Sequence, residues 1–151
     1  MNTRLFGTDG IRARAGEFPL NAETIIAIGR AIGEKLDGKI FIGQDTRMSS
    51  PWILDHLQKG ISLTRATLQN AGVIPTPAVA LLTKSFGYSG GVMISASHNP
   101  YQDNGLKVFG SDGTKVTDAA EAEIEDRIFN LLEAERVGTS ADQFPQHCRW
   151  R

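Results

Sequence analysis

The sequence predicts an α/β fold, a three-layer α/β/α sandwich built on a four-stranded, mixed and mostly parallel sheet. The first observation is that short apolar runs alternate with amphipathic segments of about 10–15 residues, which is the pattern of βαβ units. The second is the composition, because 151 residues with 40% hydrophobic and 22% charged side chains are typical of one globular core. We therefore expect one domain over residues 1–135 and a tail or truncated linker over 136–151.

The first predicted helix spans residues 20–36. Ile25, Ile28 and Ile32 recur at helical spacing and form one apolar face. Asn21 is a favourable N-cap residue for this helix. The next segment, KIFIG at residues 39–43, is apolar and rich in β-branched and aromatic side chains, which indicates a buried strand.

Two further helices are predicted to begin with a proline in the first turn, where a missing amide costs no hydrogen bond. One spans residues 50–63, and the other begins at Thr76-Pro77. The segment between them, residues 66–72, is a weaker strand candidate.

The clearest later strand is VMI at residues 92–94, and GLKVFG at 105–110 is the fourth strand candidate. A turn at Asp112-Gly113 leads to an acidic helix over about 118–132. Periodicity fades after residue 136. The tail contains three residues for which we expect no role: Cys148, His147 and Trp150.

The charge pattern shows no cluster of basic residues that would bind a polyanionic partner. The net charge is −1 and no basic run is present, so we expect no nucleic-acid partner. No apolar stretch approaches the roughly 18 residues of a membrane span, so we expect no membrane partner. The N-terminus lacks a signal-peptide pattern and the single Cys148 allows no internal disulfide, which indicates a cytoplasmic protein.

Two polar loops follow predicted parallel strands, QDTRMSS after residue 43 and SASHNPYQDNG after residue 94. Ligands of open α/β sheets bind beyond the carboxyl ends of such strands. Ser95 and Ser97 lack the glycine frame of a hydrolase elbow, and adjacent side chains of an extended segment diverge, so a Ser97–His98 proton relay is disfavoured. An exposed serine can instead carry a phosphoryl group, with cations such as Arg12 and Lys107 nearby, or can simply stabilise a turn.

The N-terminal segment LFGTDGIR places Thr8 between two glycines and Arg12 shortly after them. Such a turn can form an anion-binding nest, with Arg12 forking onto a phosphate, or it can be an ordinary hairpin. Asp45 and Arg47 suit a local ion pair, and Lys107 suits a solvated strand edge. No group of His, Cys or Asp residues shows metal-ligand spacing.

Taken together, these segments resemble the N-terminal domain of the α-D-phosphohexomutase family, and within it the phosphoglucosamine mutase branch. The resemblance covers about residues 4–132. It is carried, in this order along the chain, by LFGTDGIR, IGQDTR, GVIPTPAVA, GGVMISASHNP, DNGLK and SDGTK.

The resemblance implies a mutase that converts glucosamine 6-phosphate into glucosamine 1-phosphate through a phosphoserine and a bisphosphate intermediate. Ser97 matches the family's phosphoserine, with His98 and Lys107 as further catalytic residues. Lys107 would move a proton or stabilise charge. The implied phosphate-binding residues are Thr8, Arg12, Asn99 and Arg47, with a structural role equally open for Arg47.

The resemblance also implies Mg²⁺, with Ser97 as the single ligand from this chain and the remaining ligands in a domain that the chain lacks. The aspartate-rich metal loop, the sugar-recognition loop and the distal phosphate loop of the family are absent from the sequence. We therefore expect the chain alone to be inactive and to need the remaining mutase domains, with self-association through the exposed former interface. The alternatives are a stand-alone phosphate- or partner-binding module, or phosphomannomutase/phosphoglucomutase specificity.

Overall fold

A computed structural model describes residues 4–141 of the chain, with side chains through residue 138. Cys148, His147 and Trp150 lie outside the described residues. The elements, in chain order, are β1 (Ile11–Arg14), α1 (Ala22–Leu36), β2 (Lys39–Gln44), α2 (Ser50–Ser62), β3 (Thr67–Val73), α3 (Thr76–Ser85), β4 (Gly90–Ile94), β5 (Asp103–Gly110) and α4 (Asp118–Ala141).

The strands form one mixed sheet in the order β1-β5-β4-β2-β3. β2 pairs in parallel with β3 and β4, whereas β5 pairs antiparallel with β4 and β1. β5 therefore runs against the other four strands, because only a short loop joins it to β4 and a parallel return needs a longer crossover. The carboxyl ends of β1, β2, β3 and β4 consequently lie at one edge of the sheet.

The predicted α/β/α class is confirmed, but the sheet has five strands rather than four. The additional strand is β1, whose sequence IRAR we interpreted as part of a glycine-rich turn. A four-residue strand carries little periodic signal, and β1 is fixed by pairing with β5, far away along the chain. Ile11 of β1 is fully buried and contributes to the core.

Successive side chains of each strand point to opposite faces of the sheet and pack in two separate hydrophobic cores. On one face, Ile40 and Ile42 of β2 pack with residues of α1, α2 and α4. On the other face, Phe41 packs in a smaller cluster with Val79 of α3. Of the helices in the described part of the chain, α1, α2 and α4 therefore cover one face of the sheet and α3 covers the other.

Helix α4 extends to Ala141, beyond the predicted end near residue 132. Its buried face ends at Leu132 and the side chains of residues 133–138 are exposed, so the pattern of core positions stops before the helix does. The expected domain boundary at residue 135 falls inside this helix and stays a prediction. Within the described part of the chain, no helix is both long and apolar enough to cross a bilayer.

Candidate functional site

The loop between β4 and β5, residues 95–102 and hereafter the serine loop, presents Ser97 at the carboxyl edge of the sheet. Ser97 is exposed, and its amide donates a hydrogen bond to Ser95 Oγ at 3.1 Å. Its φ of +53° lies in the left-handed region, which costs a non-glycine residue on the order of 1–3 kcal/mol. Such a conformation persists only where surrounding contacts hold it, so the backbone at Ser97 is fixed by its neighbours.

Ser97 lines a pocket of about 170 Å³, hereafter the serine pocket, to which the described residues contribute two cationic side chains and no carboxylate. Its lining residues are Arg12, Thr76, Met93, Ser95, Ser97 and Lys107. Arg12, Ser97 and Lys107, which we selected from distant parts of the sequence, are therefore brought together. Three hydroxyl groups and two positive charges make this pocket suitable for an anion.

The strand register explains why these side chains meet. Lys107 of β5 pairs with Met93 of β4, and Arg12 of β1 pairs with Gly105 of β5, all on the face that α3 covers in part. A side chain at Gly105 would collide with the carbonyl oxygens of Ser95 and Ile11 and would lie 3.1 Å from Arg12 Cγ. Gly105 thus leaves the space in which Arg12 crosses toward the serine loop.

The guanidinium of Arg12 is positioned by an amide rather than neutralised by an acid. Its Nη1 donates to Asn99 Oδ1 at 2.9 Å, and Asn99 Nδ2 in turn donates to Asp103 Oδ2 at 3.1 Å. Arg12 Nε is buried and has no hydrogen-bond partner among the described residues. Arg12 therefore keeps donor capacity and positive charge for a ligand of the pocket.

Arg47 turns toward the backbone of the serine loop and is not among the residues that line the pocket. Its Nη atoms donate to the carbonyl oxygens of Ser97, Asn99, Pro100 and Asp103. Its Nε donates to Asp45 at 3.1 Å. Because these donors are occupied by the protein, the arrangement favours the structural role over phosphate binding, the two roles that the sequence left open for Arg47.

A buried polar network joins the loop after β2 to the start of β5. Asn104, fully buried, donates to Ser49 Oγ and Ser50 Oγ at 2.8 and 3.0 Å. Ser50 Oγ donates to Asp45 Oδ1 at 2.9 Å. Buried polar groups of this kind specify one arrangement because an unpaired member is costly. The loops after β2 and β4 are therefore held in fixed relative positions.

Besides Arg47 and Asn99, which contact the serine loop or Arg12, the predicted site residues Thr8 and His98 also lie outside the pocket. Thr8 is exposed, accepts a hydrogen bond from Lys115 Nζ at 3.0 Å through its carbonyl oxygen, and lines a different pocket next to α4. His98 is exposed beside Ser97 and is not among the residues that line the serine pocket. Thr8 and His98 therefore lie outside the set of described residues that line the pocket with Arg12 and Lys107.

Thr76 is a pocket residue that the sequence reasoning missed. It is the first residue of α3, and it follows β3 at the same sheet edge as the two loops that we selected. The rule that favoured the loops after β2 and β4 applies equally to the loop after β3. The N-terminal turn of α3 places the positive end of the helix dipole near the pocket.

The described residues do not form a metal site by themselves. Within residues 4–138, no group of three or more His, Cys, Asp or Glu side chains is placed to hold an ion. The single hydroxyl of Ser97 falls short of the six oxygen ligands that Mg²⁺ requires. Any Mg²⁺ at Ser97 would need most of its ligands from elsewhere.

Comparison with known families gives one model that matches most of the chain. The model described as phosphoglucomutase/phosphomannomutase, alpha/beta/alpha domain I, matches residues 3–135. A solved structure of a phosphoglucomutase/phosphomannomutase family protein from Burkholderia thailandensis has a TM-score of 0.74 over 84% of this chain and 30% of its own, at 24% identity. That likeness shows the fold alone.

Curated relatives of similar sequence are phosphoglucosamine mutases. That of Koribacter versatilis is 50% identical over 145 residues, which cover 92% of this chain and 31% of the relative. That of Solibacter usitatus is 50% identical over 135 residues, or 86% of this chain and 30% of the relative. The chain therefore spans about a third of the length of the relatives that it matches.

Proposed function

Because the chain belongs to the phosphoglucomutase/phosphomannomutase family as its α/β/α domain I, we propose that it carries the phosphorylated serine of a hexose-phosphate mutase. Ser97 is that serine, and the substrate pair is glucosamine 6-phosphate and glucosamine 1-phosphate. The names of the curated relatives support the amino sugar. The chain supplies one of several domains that complete the enzyme.

The observation that carries this proposal is the charge of the serine pocket. Arg12 and Lys107 line the same space as Ser97, and no carboxylate of residues 4–138 lines it. A phosphoserine carries about −1.5 to −2 charges at pH 7 and three acceptor oxygens. Two cations and the helix N-terminus at Thr76 would stabilise that charge, whereas a lining carboxylate would repel it.

Two phosphoryl transfers at Ser97 give the net reaction. In the first, O1 of glucosamine 6-phosphate bonds to the phosphorus of phosphoserine, the bond from phosphorus to Oγ breaks, and the proton leaving O1 ends on Oγ. In the second, Ser97 Oγ bonds to the phosphorus on O6 of the bisphosphate, and O6 takes the proton as its phosphate bond breaks. The products are glucosamine 1-phosphate and a rephosphorylated serine.

The other site residues contribute charge, position and proton transfer. Arg12 binds the phosphoryl oxygens, and Asn99 holds Arg12 in place through its 2.9 Å hydrogen bond. Lys107, half-buried at the pocket, moves the proton or stabilises the charge that develops on the transferred group. His98 and Thr8 would act only against substrate or against another domain, since both are exposed.

The remaining domains supply what this chain lacks. They would bring the other Mg²⁺ ligands, the sugar-recognition loop and the distal phosphate site, so the chain alone is inactive. Exposed apolar side chains on α3 and directly after it, such as Leu81 and Phe86, belong to the surface that meets those domains or a second copy. The complete protein acts in the cytoplasm.

A chimera tests the role of Ser97. Residues 1–135 replace the matching segment of the Koribacter versatilis phosphoglucosamine mutase, and formation of glucosamine 1-phosphate is followed in a coupled assay. We expect turnover in the chimera and a loss of about a thousandfold or more for Ser97→Ala, because the transferred group then has no carrier. Intact-mass measurement should find one phosphoryl group that the variant lacks.

Ser85→Ala is the matched control, since Ser85 is an exposed serine at the opposite end of α3. Its chimera should keep the parental rate and the phosphoryl group. Unchanged turnover in Ser97→Ala would rule out Ser97 as the phosphoryl carrier. Calorimetry of the 151-residue chain with glucosamine 6-phosphate tests the alternative that the chain is a stand-alone binding module. That alternative requires two results, measurable heat of binding to the chain alone and a chimera without turnover.

A further inference from the structure

Arg47 has every hydrogen-bond donor of its side chain engaged by the protein. A guanidinium carries five N–H groups in a rigid fork. Nε donates to Asp45, Nη1 to Pro100 and Asp103, and Nη2 to Ser97 and Asn99, with donor–acceptor distances of 2.6–3.1 Å. The side chain is 12% exposed. A phosphate could bind Arg47 only by displacing backbone carbonyls.

We propose that Arg47 is a positioning residue that sets the conformation of the serine loop and so the direction of the Ser97 hydroxyl. This inference rests on the proposed function of Ser97, and it assigns Arg47 no contact with substrate. Asp45 holds Arg47 from the other side. The Asp45 carboxylate accepts hydrogen bonds from Arg47 Nε at 3.1 Å and from the Arg47 backbone amide at 3.0 Å.

The guanidinium of Arg47 contacts the serine loop on both sides of the turn that the loop makes. The carbonyl of Ser97 lies at the start of the turn and that of Asp103 lies at its end, where β5 begins. Ser97 is held on its amide side by Ser95 Oγ and on its carbonyl side by Arg47. Both peptide groups that flank its left-handed backbone are therefore fixed by side chains.

Lysine cannot reproduce this arrangement. Its ammonium concentrates three donors at one point, whereas the guanidinium reaches four carbonyls and one carboxylate with planar geometry. Arg47→Lys keeps the charge and removes the fork, so it separates positioning from simple electrostatics. Arg65→Lys is the matched control, because Arg65 is 88% exposed and, among the described residues, pairs with Asp37 alone.

The first test uses the 151-residue chain and does not depend on catalysis. The amides of Asn99 and Asp103 are hydrogen-bonded within the loop, to Ala96 and Pro100 respectively. In Arg47→Lys their hydrogen exchange should accelerate by about tenfold or more, while exchange in α1 and β2 stays unchanged, since the loop opens locally. Unchanged exchange in the loop would overturn the proposal. Arg65→Lys should match the parental chain at both amides.

A measurement on the unmutated chain covers the case in which Arg47→Lys fails to fold. The Nη protons of Arg47 should give separate, slowly exchanging NMR signals, because hydrogen bonds to both nitrogens hinder rotation of the guanidinium. Those of Arg65 should be averaged by rotation. Averaged Nη signals for Arg47 would overturn the proposal without any variant.

The chimera then separates positioning from substrate binding. We expect Arg47→Lys to lower kcat by about a hundredfold and to leave KM for glucosamine 6-phosphate nearly unchanged, as misplacement of a reacting group does. A raised KM with unchanged kcat would assign Arg47 to substrate and would overturn the proposal. If Ser97→Ala keeps full turnover, the proposed function fails on its own, and the exchange result still decides whether Arg47 fixes the loop.

Discussion

The two faces of the sheet are covered very differently. On one face, α1, α2 and α4 bury a continuous aliphatic core that includes Ile28, Ile53 and Ile128. On the other, α3 alone packs on a small cluster around Phe41 and Met93. We call the face covered by α1, α2 and α4 the closed face, and the face covered by α3 the open face. The closed face is closely packed, whereas the open face leaves room at the carboxyl edge of the sheet for a pocket lined by Arg12 and Lys107.

The closed face depends on direct contact between two helix backbones. A Cβ atom at Gly60 of α2 would overlap the carbonyl oxygen of Ile26 and the amide of Arg30 in α1. A Cβ atom at Gly29 of α1 would likewise overlap the carbonyl of Leu57 in α2. The helices therefore approach each other at positions where only glycine fits, and neither backbone can move aside without separating the pair.

The strongest test of the closed face is Gly60→Ala. We expect a loss of about 3 kcal/mol or more in the free energy of unfolding, because the added methyl group meets backbone atoms and overpacking is relieved only by moving a helix. Urea unfolding of the 151-residue chain measures this loss.

Gly138→Ala is the control for the intrinsic effect of the substitution. Gly138 lies in the exposed part of α4, and a Cβ atom added there would meet no other group within 4 Å. This variant should gain about 0.5–1 kcal/mol from helix propensity. A loss below about 1 kcal/mol in Gly60→Ala would show that α1 and α2 slide apart freely, which contradicts the rigid closed face.

On the open face, substitution of the glycine that contacts α3 should cost less stability than Gly60→Ala. A Cβ atom at Gly91 of β4 would overlap Thr83 Oγ1, a side-chain atom of α3 that donates to the carbonyl of Val79 at 2.7 Å. We expect Gly91→Ala to cost about 1–3 kcal/mol. Thr83→Ala in the same chain removes the colliding hydroxyl and should recover part of that cost.

A double-mutant cycle on Gly91 and Thr83 measures the recovery. The two substitutions should be non-additive by about 0.5–3 kcal/mol in the stabilising direction, since they share one contact. Additive costs would mean that α3 already adjusts to a larger residue in β4. The proposed difference between the faces, side-chain contact at Gly91 and backbone contact at Gly60, would then be wrong.

Periodicity and strand composition predicted most of the fold. Residues 39–43, 92–94 and 105–110 are strands, and the first helix begins within two residues of its predicted start. β1 was not found, because four residues carry too little pattern and its partner β5 is remote in sequence. The end of α4 was placed too early, because its core-facing residues stop at Leu132 while the helix continues through exposed residues.

The site was predictable where chemistry and the family resemblance together select residues. Arg12, Ser97 and Lys107 are charged or nucleophilic groups that were predicted in this way, and they do share a pocket. The position of Arg47 was not predictable, since a guanidinium suits a phosphate and a set of backbone carbonyls equally well. Only the path of the serine loop shows that carbonyls occupy it.

The smallest effect is expected from the charges on the closed face. Glu34 of α1 accepts hydrogen bonds from Arg127 of α4 at 2.6 and 3.1 Å, and this contact, followed by that from Arg30, lowers the pKa of Glu34 from its ordinary value of 4.5. A lowered pKa means that the folded state favours the carboxylate. The resulting stability is present above pH 4.5 and is lost as the pH falls through the lowered pKa.

Glu34→Gln should therefore cost only about 0.5 kcal/mol at pH 7, because the side chain is 35% exposed and solvent screens the pair. The cost should shrink toward zero in acid, where Glu34 of the parental chain is itself protonated. Urea unfolding at several pH values measures it, with Glu17→Gln as the control, since Glu17 is 69% exposed and lies 3.9 Å from Arg14. A cost that exceeds that of Gly60→Ala would mean that ion pairs rather than backbone packing hold α1, α2 and α4 together. A cost that persists in acid would mean that the contact of Glu34 with Arg127 does not depend on the charge of Glu34.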